Sequence, residues 1–592
     1  MRTVRTFLMA TFTVLLPVFF SGCDSASSSD SASSSERPNV VLIITDDQGY
    51  GDLGYHGNHH IKTPVLDSLA AGSLRFNNFY VSPVCAPTRA SLMTGRFSLR
   101  TGVRDTYNGG AIMSAEEITI AEMLKDAGYT TGIFGKWHLG DSYPSRSVDQ
   151  GFDESVVHLS GGMGQVGDFT TWFRKDSSYF DPVLWHNGEQ ESYEGYCSDI
   201  FASEAIRFIE QHQDEPFFCY LSFNAPHTPL QVPDAYYQLY KDIDPSEGFG
   251  DVPMPDMSEK DKEDARKVYA MVTNIDDNIG RLRSKLEELE LVENTIFIFL
   301  TDNGPQQRRY ISGMRGRKGD VYRGGVRVPF FFSYPSTYDG NRDILNNAAH
   351  IDILPTLAEL CAAEVPSDRI IDGRSLEPAL RGESWPEERS LFFYWSRKYP
   401  EVYNNISLQK GMMKLVGHTD YDADTAGFEL FNIETDPYEQ VNLVAEQTAE
   451  FRAMRGALDT WIDELSSEEH LVNQPPIIVG SPYENPVYLN RNDASGQRGI
   501  WSQQDIYGFW NVEIYEGTYD LRFKFIEPVP AGGLLRTEAK GYTLLKHNTE
   551  ETDIIEMNNV AFEAMKCRFR PFYQDGRNRI MPFWVEMTKV GD

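Results

Sequence analysis

Asn39-Val40-Val41-Leu42-Ile43-Ile44-Thr45 is apolar almost end to end and runs directly into Asp46-Asp47. A strand with polar residues on alternate positions would have one wet face. A run this uniformly apolar, and this β-branched, is what a strand covered by helices on both faces requires. The same texture returns at Tyr129 to Phe134, Phe217 to Phe223, Thr295 to Thr301 and Val328 to Ser333. Between two of these runs Val268, Met271, Val272, Ile275, Ile279, Leu282, Leu286 and Leu289 recur mostly at helical spacings of three and four. The pattern predicts an α/β fold built on a mostly parallel central sheet.

In open α/β sheets ligands bind beyond the carboxyl ends of the strands, so the residues following each run are the ones to read. Asp46-Asp47 follow the first, Gly135-Lys136-Trp137-His138 the second, Asn224-Ala225-Pro226-His227 the third and Asp302-Asn303 the fourth. Carboxylates, amides, a lysine and two histidines are thereby delivered to one edge of the sheet. Asp46, Asp47, Asp302 and Asn303 are hard oxygen ligands, which suits Ca²⁺, with Mg²⁺ as the alternative, better than zinc.

The chain has 592 residues and a formal net charge of −33, from 87 acidic against 54 basic side chains. Its length predicts two or three domains, and its charge argues against nucleic acid as a partner. An anionic substrate would therefore need a local positive island. Arg308, Arg309, Arg315, Arg317, Lys318, Arg323 and Arg327 supply one against the single acid Asp320, in a glycine-rich stretch able to approach a ligand closely. Arg317 and Arg323 are the candidates there for bidentate contact with substrate.

Residues 1–22 carry Arg2 and Arg5, then the apolar run Phe7 to Phe20, and read as a secretory signal. The run is shorter than the about 20 residues a membrane-spanning helix needs. Ser21-Gly22-Cys23 resembles a bacterial lipoprotein cleavage site, which makes Cys23 the expected lipid anchor. The Ser-rich, acidic residues 23–36 read as a tether. The expected location is the bacterial envelope, lipid-anchored in the periplasm or at the cell surface, with the anchor as the sole membrane contact. Six cysteines in so long an exported chain do not make a disulfide framework, and the pairing of Cys197, Cys219, Cys361 and Cys567 stays open.

The most specific stretch is Val84-Cys85-Ala86-Pro87-Thr88-Arg89-Ala90-Ser91-Leu92-Met93-Thr94-Gly95-Arg96. Pro87 suits the first turn of a helix, which places Cys85 near a helix N-terminus that favours anions. Cys-x-Pro-x-Arg followed by Leu-x-Thr-Gly resembles the signature of the type I sulfatases, within the alkaline phosphatase superfamily. In that family the cysteine is oxidised after translation to formylglycine. The resemblance runs from Arg37 to about Leu465. It takes in the strand-end blocks above, Gly316-Arg317-Lys318 before Gly324-Gly325, and Phe428-Glu429-Leu430-Phe431-Asn432 with Asp436-Pro437. Thr88 and Arg323 depart from it, standing where Ser and Glu are commoner.

The resemblance implies an alkaline-phosphatase-like large mixed sheet flanked by helices (37–370) and a small antiparallel C-terminal subdomain (371–470). It also implies that residue 85, as hydrated formylglycine, attacks sulfur to form a covalent sulfate ester and later eliminates sulfate. A metal on Asp46, Asp47, Asp302 and Asn303 would touch both this nucleophile and a sulfate oxygen. Lys136 and Lys318 would hold sulfate oxygens, Arg89 and His138 would orient residue 85, and His227, with Asp302 as the alternative, would protonate the leaving oxygen. A formylglycine-generating or anaerobic maturation enzyme becomes an expected partner.

Beyond the helical spacing of Phe451, Met454, Leu458, Trp461, Ile462 and Leu465, the stretch Gln474 to Pro486 reads as a Pro-rich linker. Trp510, Val512, Ile514, then Glu516-Gly517, then Tyr519, Leu521, Phe523 and Phe525 read as a β-hairpin, and residues 475–592 as an appended β-sandwich. A sulfatase acting on a sulfated poly- or oligosaccharide is the leading expectation. An aryl sulfatase and a phosphodiesterase or phosphonate hydrolase are the enzymatic alternatives, separable by comparing sulfate with phosphate esters. An inactive glycan-binding surface lipoprotein is the other, and the full set of Cys, Lys, His and acidic positions speaks against it.

Overall fold

The structure, a computed structural model, describes residues 37–383, 385, 389–397, 403–417, 427–497, 500 and 503–591. The expected signal, the tether and Cys23 lie outside the described residues.

The centre is a ten-stranded sheet. Its strands are β1 (Asn39–Thr45), β2 (Leu74–Tyr80), β3 (Thr130–Lys136), β4 (Glu154–His158), β5 (Val183–His186), β6 (Glu189–Ser192), β7 (Phe217–Ser222), β8 (Thr295–Thr301), β9 (Phe330–Ser333) and β10 (Arg342–Ala349). They lie in the order β10-β2-β9-β8-β1-β7-β3-β4-β5-β6. The middle, β8 through β4, is parallel. The sheet is mostly parallel and mixed at its flanks, as expected: β10 pairs in parallel with β2, β9 runs antiparallel to both neighbours, and β4, β5 and β6 pair antiparallel. The reason for the reversal at β9 lies in the connection. After β8 the chain stays at the carboxyl end of the sheet, where Gly304 N donates to Gly325 O at 2.9 Å. With no crossover helix to carry it back, it re-enters the sheet pointing the other way.

Both faces of β1 are buried, as its composition requires. Val40, Leu42 and Ile44 join a core with Leu92, Met93 and Leu357, and Val41 and Ile43 join one with Met271, Ile275 and Ile279. The last three belong to the helix Glu259–Glu288, opened by a capping box in which Ser258 and Asp261 satisfy each other's backbone N–H. Each fully buried aliphatic side chain contributes about 1.5–3 kcal/mol.

His350 follows β10 and packs its Nε2 3.0 Å from Ser82 Oγ. Burial, helped by the charge of Arg389, lowers its pKa from 6.5 to about 3. The folded state thus excludes a proton that the unfolded chain accepts. The histidine's neutral burial costs nothing above its unfolded pKa, and stability is lost as pH falls from there toward about 3. At pH 5 the loss is about 2 kcal/mol. His350→Gln is therefore expected to unfold with a shallower acid dependence between pH 7 and pH 5 in urea titrations. Parallel curves would show that His350 binds a proton in the folded state.

A second sheet, β11 (Ser390–Tyr394), β12 (Ile406–Lys410), β13 (Met413–Gly417) and β14 (Phe428–Asn432), is wholly antiparallel. The helix Thr448–Leu465 packs Met454, Leu458, Trp461 and Leu465 onto Leu408, Leu415 and Leu430.

Residues from Ile477 onward form two further sheets. The strands are β15 (Ile477–Val479), β16 (Val487–Asn490), β17 (Ser495–Gly496), β18 (Gly508–Ile514), β19 (Gly517–Val529), β20 (Leu534–Ala539), β21 (Tyr542–His547), β22 (Thr552–Phe562), β23 (Met565–Asp575), β24 (Asn578–Ile580) and β25 (Trp584–Gly591). One sheet runs β15-β18-β23-β20-β21, with β17 and β24 on β18 and β23, and the other β16-β25-β19-β22. Their inner faces share one core, with Trp510, Val512 and Phe569 facing Leu521, Phe523 and Val585. This is the sandwich, but two expectations fail. Trp510 to Phe525 is not a hairpin, because β18 and β19 lie in different sheets and the chain changes sheet at Tyr515-Glu516. Both strands alternate buried and half-exposed residues, so the pattern fixes each strand without fixing its partner. The Gln474 to Pro486 stretch is no free linker either, since Ile477–Val479 pairs in parallel with Val512 to Ile514 of β18. Cys85, Cys197, Cys219, Cys361 and Cys567 are all unpaired thiols.

Candidate active site

β8, β1, β7 and β3 are consecutive neighbours in the sheet, so their carboxyl ends bring the four sequence blocks together. Asp46 and Asp47 leave β1, Lys136 ends β3, His227 follows β7, and Asp302 and Asn303 leave β8. The helix Cys85–Thr94 starts against this edge, with Val84 extended ahead of it and no side chain capping its first turn. Asp47 and His138 hold φ of 64° and 62°, a left-handed backbone that costs a non-glycine residue energy and clusters at functional sites.

The polar side chains interlock. Lys136 Nζ lies 2.5 Å from Asp46 Oδ2 and Lys318 Nζ 2.6 Å from Asp47 Oδ1. Arg89 donates to Asp302 Oδ2 at 2.9 Å, to Ser222 Oγ at 2.6 Å and to the Lys136 carbonyl at 3.3 Å. Asn303 Nδ2 donates to Asp47 Oδ1 at 2.8 Å, which turns its own oxygen elsewhere. Asp46 Oδ1, Asp47 Oδ2 and Asn303 Oδ1 are buried without a hydrogen-bond donor. Carboxylate oxygens of Asp46 and Asp302 and Cys85 Sγ lie within 4.8 Å of one another. Buried acceptors left without donors at such a spacing fit a hard divalent cation held by Asp46, Asp47, Asp302 and Asn303.

Electrostatics follow the same geometry. Burial, then the neighbouring Asp46 carboxylate, pushes Asp302 up to about 7. Burial works against ionisation of Asp47 too, but Lys318 and His227 outweigh it and hold Asp47 below the usual carboxylate range. Burial also pushes the Cys85 thiol up against the pull of Lys136 and Lys318. An unmodified Cys85 is thus a thiol rather than a thiolate, and a poor nucleophile. His227 is lowered to about 3 by burial and Lys318. Its Nδ1 is 2.7 Å from the Thr228 carbonyl, which can only accept, so Nε2, 3.7 Å from Asp47 Oδ2, carries the lone pair of the neutral ring. His138 is neutral as well, lowered by burial and Lys136, and its Nε2 meets the Thr106 carbonyl at 2.8 Å.

Two expectations are revised. The positive island is largely consumed inside the protein. Arg309 binds Asp52 and the Asp47 carbonyl, Arg315 reaches Glu429 at 3.3 Å, and Arg327 lies over the Tyr50 ring. Arg323 is not brought to the site. It is 4% exposed and donates to the Pro437 carbonyl at 3.0 Å, joining the first sheet to the second subdomain. Arg317 stays exposed, lining a hollow of about 330 Å³ with Arg308 and Asp320 next to Lys318. The sequence reading missed Ser222 and the Asp52–Arg309 pair, which brace Arg89 and Asp47. The hydroxyl of Ser222 near the end of the run Phe217 to Phe223 was the available signal.

This arrangement fits hydrolysis of an anionic ester: a helix N-terminus, two lysines and a carboxylate cluster able to hold a cation surround one side chain. A sulfatase family model matches residues 38–363, and one for the C-terminal part of N-sulphoglucosamine sulphohydrolase matches 317–467. Arylsulfatase A of Homo sapiens is 32% identical over 459 residues, covering 69% of this chain and 83% of that protein. N-acetylgalactosamine-6-sulfatase of Canis lupus familiaris is 29% identical, covering 62% and 71%. The solved structure of Ps i-CgsB is 27% identical with a TM-score of 0.64, covering 73% of this chain and 94% of its own. The chain belongs to the sulfatase family. It is a sulfuric ester hydrolase.

The sequence expectation that Lys318 holds a sulfate oxygen predicts that Lys318→Ala lowers kcat on 4-nitrophenyl sulfate by roughly 10²–10³-fold. Unchanged turnover in a folded variant would remove Lys318 from the reaction.

Proposed function

We propose that this protein removes sulfate esters from a sulfated poly- or oligosaccharide, using formylglycine made from Cys85 and a divalent metal, Ca²⁺ for preference, on Asp46, Asp47, Asp302 and Asn303. The observation that carries the reading is Cys85, buried at a helix start and ringed by Asp46, Asp302, Lys136 and Lys318, with a thiol that burial keeps protonated. A buried inert thiol is out of place there, whereas an aldehyde hydrate would present oxygen to the same cluster. The metal would supply Lewis acidity toward a sulfate oxygen and lower the pKa of the attacking hydroxyl.

The chain's own residues do the remaining work. Arg89, fixed by Asp302, Ser222 and the Lys136 carbonyl, orders the base of the site. Lys136 and Lys318 hold sulfate oxygens and offset their growing charge. His227, held neutral by burial and Lys318, is the candidate to pass a proton to the leaving oxygen, with Asp302 as the alternative. Arg317 and Arg308, on the hollow beside Lys318, fit an anionic sugar.

The glycan reading draws on similarity. Ps i-CgsB has been solved with k-i-k-neocarrahexaose, at 27% identity and a TM-score of 0.63. The maturation enzyme and the lipid anchor at Cys23 belong to the same proposal and rest on the sequence. The test is sulfate release by matured protein from a panel of sulfated oligosaccharides, beside aryl sulfates and phosphate esters. Release from a sulfated glycan is the expected result. Turnover of phosphate esters alone would overturn the reading, and turnover of aryl sulfates alone would leave an aryl sulfatase.

A further inference from the structure

A cavity of about 470 Å³ opens where all three parts of the chain meet. Arg104 and Tyr107 come from the first, Arg397 from the second, and Phe509, Asn511 and Arg568 from the sandwich. On β18 the inward residues Trp510 and Val512 build the sandwich core, which leaves Phe509 and Asn511 on the outer face. Asn511 lies directly across from Arg568 of β23. The Arg568 guanidinium lies 4.7 Å from the centre of the Phe509 ring.

The lining is positive inside a chain of net charge −33. Its one acid, Asp105, is engaged by Arg397 at 3.3 Å and by Trp395 Nε1 at 3.2 Å. Arg568 is exposed and, among the described residues, forms no ion pair. The cavity also shares a wall with the active site. The Thr106 carbonyl meets His138, while Thr106 Oγ1 accepts from Arg397 at 3.0 Å. Trp395, beneath Arg397, fills the space beside Gly319, next to Lys318.

We propose that the sandwich completes a second binding site here, which takes an acidic sugar unit, sulfated or carboxylated, of the oligosaccharide whose ester is cleaved next door. The inference rests on the glycan reading above. Half-exposed Phe509 offers apolar surface to a sugar ring, with Tyr107 buried beneath Arg397 as the floor, and Arg568 and Arg397 offer planar donors to its anion. Sulfate and carboxylate present the same paired oxygens, so the chemistry alone does not separate them.

The test measures binding and turnover separately on the full chain. In a Cys85→Ala background, calorimetry with a heparin-derived hexasaccharide, an oligogalacturonide of equal length and a neutral cello-oligosaccharide should show binding of an acidic sugar. Arg568→Ala and Phe509→Ala, added singly, should each raise its Kd about tenfold. Binding of both acidic probes assigns a general anion site, and binding of the sulfated one alone assigns a sulfate site. With Cys85 intact and matured, Arg568→Ala should leave turnover of 4-nitrophenyl sulfate unchanged. Affinities that Arg568→Ala leaves unchanged, or no binding of either acidic sugar, would overturn the proposal. Failure to release sulfate from any ester, with Arg568-dependent binding intact, would instead sink the glycan sulfatase reading.

Discussion

Cys85→Ala, produced with a maturation enzyme, is expected to release no measurable sulfate from any ester, a loss of roughly 10⁵–10⁶-fold in kcat, the scale of removing the attacking group from a covalent mechanism. The side chain is 2% exposed and sits inside the Asp46, Asp302, Lys136 and Lys318 ring, so replacing it with a methyl group leaves the surroundings folded but nothing to attack sulfur. Peptide mass spectrometry of the parent protein should show residue 85 lighter than cysteine, with aldehyde oxygen in place of sulfur. A protein that releases sulfate while carrying only unmodified cysteine, or a Cys85→Ala variant that retains activity, would refute the mechanism.

The second large effect concerns the cation. Asp46, Asp47 and Asp302 crowd together, and burial with Asp46 raises Asp302 to about 7, the mark of negative charge not fully offset by protein groups. Chelation should therefore abolish turnover, with Ca²⁺ or Mg²⁺ restoring it. A readout independent of activity is thermal unfolding. Saturating metal at about 100 times its Kd should stabilise the fold by about 2.7 kcal/mol, and Asp46→Asn should remove most of that rise. A Tm indifferent to both metals would show that the cluster holds no divalent ion.

The sheet's interior and the site were legible for the same reason. A strand buried on both faces has to be apolar throughout, so the charged residues after Thr45 and Thr301 mark its end, and in an α/β sheet that end is the functional one. What was not legible is which partner each side chain takes. Arg309, Arg315, Arg323 and Arg327 read as substrate-facing from composition, yet their partners Asp52, Glu429, Pro437 and Tyr50 lie far away in sequence. The alternation of β18 and β19 likewise specified two half-buried strands, and nothing local to Tyr515-Glu516 revealed that the chain changes sheet there.

That change of sheet, together with the pairing of β16 against β25 and β15 against β18, bears on modularity. The strands nearest the catalytic part belong one to each sheet, so cutting the chain before Gly508 would strip an outer strand from both. The same segment is stitched to the first domain: Asn490 Nδ2 donates to Asp141 Oδ2 at 2.7 Å, and Glu484 accepts from Tyr143 N at 2.7 Å. The sandwich is therefore not a cassette that could be exchanged intact for another of its kind without remaking the catalytic-domain surface it touches.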